Sequence, residues 1–210
     1  MNEWYRKQTW TKEDEEDFFQ HLKRARGEFH KAQYLKIQAV TLYETWYEPY
    51  YDVSLALLDQ YFHDFPDEQD FRADCLHLYG RILYVRKLYD KAFVCYREAA
   101  YQELKVPTLI SGAWLDYPKL IVQLKRTDLY DEAERFLKTQ HWILPFHLYT
   151  ANAVLAVICH ERGDIDAARR HKQLSHEAAA MQRSVLRKHP HLGLVEEKDE
   201  FLEAAMAEIP

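Results

Sequence analysis

Apolar side chains return every three or four residues along most of the chain, and this spacing predicts helices rather than strands. The first predicted helix covers about 12–26, with Phe18, Phe19, Leu22 and Ala25 in one stripe. Thr11 and Asp14 form a capping-box pair at its start, and Glu13 to Asp17 place negative charge at the positive end of the helix. Lys23, Arg24 and Arg26 suit its other end, and Gly27 is expected to terminate it. Four helical hairpins follow, at 31–47 with 51–64, 69–87 with 90–104, 114–126 with 130–141, and 147–161 with 165–188. A last helix, about 195–208, puts Phe201, Leu202, Ala205, Met206 and Ile209 on one side and six acidic residues on the other. Pro49, Pro66, Pro107, Pro145 and Pro190 fall between these stretches, where a missing N–H costs little. Pro118 lies inside one, tolerable in a first turn if Asp116 is the N-cap.

A short phrase returns four times within this pattern: Tyr51-Asp52-Val53-Ser54, Tyr89-Asp90-Lys91-Ala92, Tyr130-Asp131-Glu132-Ala133 and Ile165-Asp166-Ala167-Ala168. Its aspartates are 38, 41 and 35 residues apart, a period that belongs to stacked helical hairpins. Each aspartate is expected at or near the N-cap of the second helix of its hairpin. Each small residue is expected where that helix meets the first, because a long side chain would hold the axes apart.

The second hairpin carries a resemblance. In Leu76-His77-Leu78-Tyr79-Gly80 the glycine stands where the tetratricopeptide repeat family places a small residue, and Tyr89, Ala92, Tyr96 and Ala99 follow at the family's spacings. The third hairpin keeps Tyr130, Ala133, Leu137 and Pro145; the fourth keeps Gly163, Ile165 and Ala168 but has Lys172 where the family has an aromatic. The first keeps Tyr51, Ser54, Leu58 and Pro66. The chain thus resembles tetratricopeptide repeats over roughly two-thirds of its length, with spacings longer than the family's usual period of about 34 residues. The resemblance implies an all-α, right-handed superhelix: an N-terminal arm and helix (1–30), four hairpins (31–190) and a capping helix (191–210). It also implies a concave wall, built from the first helix of each hairpin, that binds peptides or proteins.

Composition narrows the chemistry. Of 210 residues, 48% are apolar and 30% charged, with only 5 glycines and 7 prolines, as expected of a folded helical protein. The net charge of -6 argues against a general nucleic-acid binder, which needs a basic face. The one basic stretch, Arg169-Arg170-His171-Lys172 through Arg183, Arg187 and Lys188, is expected to neutralise the acidic run Glu196 to Glu200 across packed helices. Cys75, Cys95 and Cys159 show no CxxC spacing and read as buried free thiols of a reducing compartment. Neither a signal-like amino terminus nor an apolar run of membrane-spanning length is present, so the expected location is the cytoplasm. No nucleotide-binding or cofactor motif occurs, nor GxSxG. The 11 histidines raise a rival reading, a metal-dependent enzyme or regulator. HExxH is absent, however, and a metal needs three or four convergent ligands.

The expectation is therefore a non-catalytic scaffold, adaptor or chaperone-like protein, or an immunity-type inhibitor that masks one toxin. Carried over from the family, the groove-facing positions fall near Tyr43 and Tyr47, on Asp74, His77, Arg81 and Tyr84, on Lys125 and Arg126, and on His160. This wall is cationic and aromatic, which suits a protein or peptide partner with an acidic segment. Two aromatic clusters exceed what the repeat needs: Tyr43, Trp46, Tyr47, Tyr50 and Tyr51, and Trp4, Tyr5 and Trp10. Each reads either as helix packing or as an interface hot spot; the second can also staple the first helix to the array.

Overall fold

The computed structural model describes residues 3–106, 111–139 and 143–210. Two sequence expectations, the break at Pro107 and the last two residues of the helix predicted at 130–141, fall outside these residues. The described residues are all-helical, with no strand, and divide into two compact units, Met1–Ala113 and Trp114–Pro210.

In the first unit, α1 (Lys12–Arg24) precedes two helix pairs, α2 (Glu28–Tyr43) with α3 (Pro49–Asp64) and α4 (Arg72–Val85) with α5 (Tyr89–Lys105). The Thr11–Asp14 capping box forms in full. Helix α1 ends at Arg24 with Ala25 as its C-cap, so Gly27 does not terminate it. Instead Gly27, at φ 79°, turns the chain into α2. The arm before α1 is clamped by fully buried Gln38, which accepts from the Lys7 amide at 2.9 Å and donates to the Lys7 carbonyl at 2.7 Å. Trp4 packs on Phe18, His21 and Tyr34, and Trp10 on Phe18. The amino-terminal aromatics are therefore a staple on the core of α1–α3.

The close contact of each pair sits where the sequence places small residues. Ser54, Ala92, Ala133 and Ala168 are all fully buried, and the Ser54 hydroxyl donates to the Ala39 carbonyl at 3.0 Å. Gly80 lies under Tyr96 and Cys95 of α5, so tightly that a Cβ would stand 2.6 Å from the Tyr96 ring. The aspartates of the phrase stand near their helix starts without capping them. None is the N-cap; Asp52, Asp90, Asp131 and Asp166 lie within the first turn. Asp52 accepts from Arg86, the C-cap of α4, at 2.8 Å. It thereby ties one hairpin's second helix to the next hairpin's first. The fourth N-cap is Asp164, whose carboxylate accepts from the Ala167 amide at 3.0 Å.

At the end of the first unit, Glu103 is buried and its Oε1 accepts from the Ser111, Gly112 and Ala113 amides at 2.7, 2.9 and 3.1 Å and from the Ser111 hydroxyl at 2.6 Å. It satisfies orphan amides at a helix start, as a local N-cap would.

The second unit holds α6 (Ala113–Gln123, its first residue in the first unit), a 3-10 turn (Thr127–Leu129), α7 (Tyr130–Thr139), α8 (Pro145–Glu161), α9 (Ile165–Ala179) and α10 (Glu200–Ala207). Asp116 lies inside α6 and not at its cap, so Pro118 sits past the first turn. Tyr117 meets Phe136 edge-on and donates to Glu132 at 2.8 Å, joining α6 to α7. Asp131 and Glu134 of α7 both pair with Arg162, the C-cap of α8, which repeats the Asp52–Arg86 tie. Helix α9 packs on α8 but stops at Ala179, well short of the predicted 188. The chain then turns back without regular structure, the Ser184 amide donating to the Pro190 carbonyl at 2.7 Å. Helix α10 starts at Glu200, later than the predicted 195, because Asp199 caps it by accepting from the Leu202 amide at 3.0 Å. It lies on α8. The basic stretch of α9 meets carbonyls and not the acidic run: Arg169 donates to Pro210 at 3.0 Å and Lys172 to Ile209 at 2.8 Å.

Among the described residues, three non-glycine residues have positive φ, Trp46 (56°), Lys87 (59°) and Lys125 (52°), each in the turn between the helices of a pair; Gly163 (81°) occupies the fourth such turn. Replacing Lys87 by glycine should relieve left-handed strain and raise stability by about 0.5–1 kcal/mol. Replacing Gly80 by alanine should cost about 1–3 kcal/mol through overpacking. Thermal melts of the two variants against wild type check both signs, and an unchanged melt for Gly80→Ala removes that residue from the helix contact.

Candidate functional site

The strongest surface feature of the first unit is at the turn end of its helix pairs. The turn after α2 projects Trp46 and Tyr47, 66% and 55% exposed. Behind them, buried Tyr43 stacks near Trp46 and Tyr51, each at 5.4 Å between ring centres, and Tyr47 meets Tyr50 edge-on at 4.8 Å. The guanidinium of Arg81 lies over the Tyr43 ring at 4.9 Å, and among the described residues no carboxylate comes within ion-pair distance of it. Tyr84, one turn on along α4, packs on Tyr89 at 5.3 Å. Val85 and Leu88 flank Arg86 and are exposed as well. Exposed tryptophan and tyrosine beside an arginine held on a ring is the composition of an interface hot spot.

Four of the sequence-derived positions, Tyr43, Tyr47, Arg81 and Tyr84, thus belong to one neighbourhood. Tyr43 supports it from below, since it is only 3% exposed. The remaining two of this unit are engaged in the fold. Asp74 accepts from Lys36 at 2.8 Å, and His77 is buried, with Gly112 close against its ring. In the second unit, Lys125 and His160 line a cleft of about 420 Å3 beside α10, whereas Arg126 is turned to Asp128 at 3.0 Å. Sequence reasoning missed the contribution of Val85 and Leu88. Their placement in a short turn after an apolar helix is the signal that could have found them.

Burial pushes the Cys95 thiol up to about 11, and it pushes the Cys75 and Cys159 thiols up as well. Cys75 is buried as expected, whereas Cys95 and Cys159 are only partly buried. Among the described residues no three histidine, cysteine, aspartate or glutamate side chains group as metal ligands. Among the same residues no helix is long and apolar enough to cross a membrane.

No protein-family model, no curated protein and no solved structure matches the chain.

Titration affects the second unit through buried imidazoles. His147 lies against Trp114 and Phe146, and burial lowers its pKa below the ordinary 6.5. His171, hydrogen-bonded to Asn152 at 2.9 Å, is lowered by burial and then by Arg170. Folded, both resist protonation that the unfolded chain accepts, so stability is lost as pH falls through 6.5 toward their folded values. The melting temperature should drop between about pH 7.5 and pH 5. His147→Gln, which cannot charge, should flatten part of that drop; an identical pH profile for the variant excludes His147 as a source.

Proposed function

We propose that the chain is a tetratricopeptide-like superhelix that binds another protein without catalysing a reaction, and that the partner presents an acidic segment. The observation that carries this reading is the turn-end surface of the first unit. Trp46 and Tyr47 are exposed beside an Arg81 guanidinium that rests on a ring and has no carboxylate within ion-pair distance among the described residues. Such a guanidinium in a protein of net charge -6 suits a carboxylate supplied from outside. The repeated phrase, the small residues at the helix contacts and the Asp–Arg ties from one pair to the next support the repeat architecture. The adaptor, chaperone-like and immunity-type readings all use this same surface, and the identity of the captured partner separates them.

The test is capture of partners from the protein's own cell extract with wild type, Trp46→Ser and Arg81→Ala as baits, followed by affinity measurement on the purified partner. Arg81→Ala should weaken binding by about 2 kcal/mol if it is a hot spot. Its melting temperature should stay near that of wild type, and wild-type affinity should fall as salt rises. Retained affinity in the double variant Trp46→Ser with Arg81→Ala removes this surface from the proposal.

A further inference from the structure

The second unit carries a different surface, the face of α6 and α8 on which α10 lies. Helix α10 has only eight residues, too few to hold helical form without packing, and it follows some twenty residues without regular structure. It is seated at its start by Asp199, whose amide donates to the Tyr149 hydroxyl at 3.0 Å and whose carboxylate accepts from Lys119 at 3.1 Å. Tyr149 in turn donates to Glu203 at 3.1 Å. Beyond its end, the Ile209 and Pro210 carbonyls accept from Lys172 and Arg169. Leu202, Met206 and Ile209 are buried.

Between these anchors the helix underfills its seat. A cleft of about 420 Å3 remains beside it, lined by Val122, Val157 and Glu161 on one side and by Phe201, Ala204, Ala205 and Glu208 of the α10 segment on the other. Lys125 and His160 border the cleft, and the His160 Nδ1 is buried with no hydrogen-bond partner among the described residues. Small alanines facing an open, partly apolar cleft leave dispersion contacts unmade, and a buried ring nitrogen without a partner leaves a polar group unsatisfied. The seat is therefore better suited to a bulkier helix than to the one it holds.

We infer that the α6–α8 face is a docking surface for an acidic amphipathic helix of a partner protein, and that α10 is its weak resident occupant, displaced on binding. The charges fix the class of partner. Lys119 and Lys125 line the seat, where Glu161 already accepts from the Tyr130 hydroxyl, Lys172 and Arg169 stand at its far end, and the resident segment itself is acidic from Glu196 to Glu200. The partner helix would carry large apolar residues where α10 has Ala204 and Ala205. A second copy of this chain offers only the same alanines and gains nothing over the resident.

Two measurements on the full chain test this. In native-state hydrogen exchange, the α10 amides should exchange about a hundredfold faster than those of residues 153–158 in α8, because the resident opens without global unfolding. In fluorescence anisotropy, a labelled peptide of residues 196–210 carrying Ala205→Leu should bind the full chain at least about tenfold tighter than the unaltered peptide. The full-chain variant Met206→Glu, which releases the resident, should bind that peptide about tenfold tighter again. Equal exchange in α8 and α10 overturns the inference, whether or not Met206→Glu folds. So does absence of peptide binding, or equal binding of the two peptides. Light scattering that shows the chain pairing with itself through this face would make a second copy the occupant and also overturn it.

Discussion

The helices of each pair stand close because the residue between them has almost no side chain, and most other features of the molecule follow from that approach. Gly80 under Tyr96, and Ser54, Ala92, Ala133 and Ala168 at full burial, leave no room for bulk on the line of contact. The bulk goes to either side of it, chiefly as tyrosine. A buried tyrosine keeps one polar atom that needs a partner, and here the hydroxyls reach across to neighbouring segments. Tyr61 donates to the Glu68 carbonyl, Tyr117 to Glu132, Tyr130 to Glu161 and Tyr149 to Glu203. Burial and these carboxylates hold the Tyr130 and Tyr149 phenols protonated far above their usual range, so the rings remain donors at any ordinary pH. Close helix contact thus dictates where the aromatics lie, and the aromatics then set which acidic residues are drawn to the rim.

What the sequence made legible was whatever depends on local geometry. The capping box at Thr11 and Asp14, the small residue of each phrase and the glycine at 80 are dictated within a turn or two of their own helix, and all appear as expected. Two of the phrase's aspartates, Asp52 and Asp131, looked equally local but answer to the next hairpin, through Arg86 and Arg162, which lie 34 and 31 residues further on. No pattern read over a few residues could separate an N-cap from such a tie. The end of α9 was hidden for a similar reason. Between Ala179 and Pro190 there is no glycine or proline to stop the helix, and the turn is fixed by a bond from the Ser184 amide to the Pro190 carbonyl. The start of α10 could have been read, since Asp199 followed by Glu200 and Glu203 is an N-cap with an acidic first turn.

The candidate surface was half legible, because a helix face says which residues share a side but not which of them the fold already engages. Several cations in this protein turn to rings: Lys36 lies over Phe71, Arg72 over Phe62, Arg81 over Tyr43 and Arg162 over Tyr130. Lys36 and Arg162 also have carboxylate partners, so their charge is satisfied inside the fold. Arg72 and Arg81 have no carboxylate within ion-pair distance among the described residues, and only Arg81 lies beside exposed tryptophan and tyrosine. Pairing partners that lie 30 or more residues away decide which charges remain available, and a stripe on a helix cannot show them.

Trp46 is best judged against the other turns of the same chain. In each of the four, a residue with positive φ donates its amide to the carbonyl three residues back: Trp46 to Tyr43, Lys87 to Tyr84, Lys125 to Val122 and Gly163 to His160. The backbone demand is the same in all four, and the side chains that meet it are an indole, two lysines and none. Lysine and glycine show that the position requires neither size nor apolar character. An indole there accepts the left-handed strain that glycine would avoid and leaves 66% of its surface in water. Neither cost is repaid by burial in the core. The turn explains the conformation of residue 46, but nothing in the turn explains the tryptophan. Together with the Arg81 guanidinium over the neighbouring Tyr43 ring, that unexplained side chain directs attention to this end of the first unit.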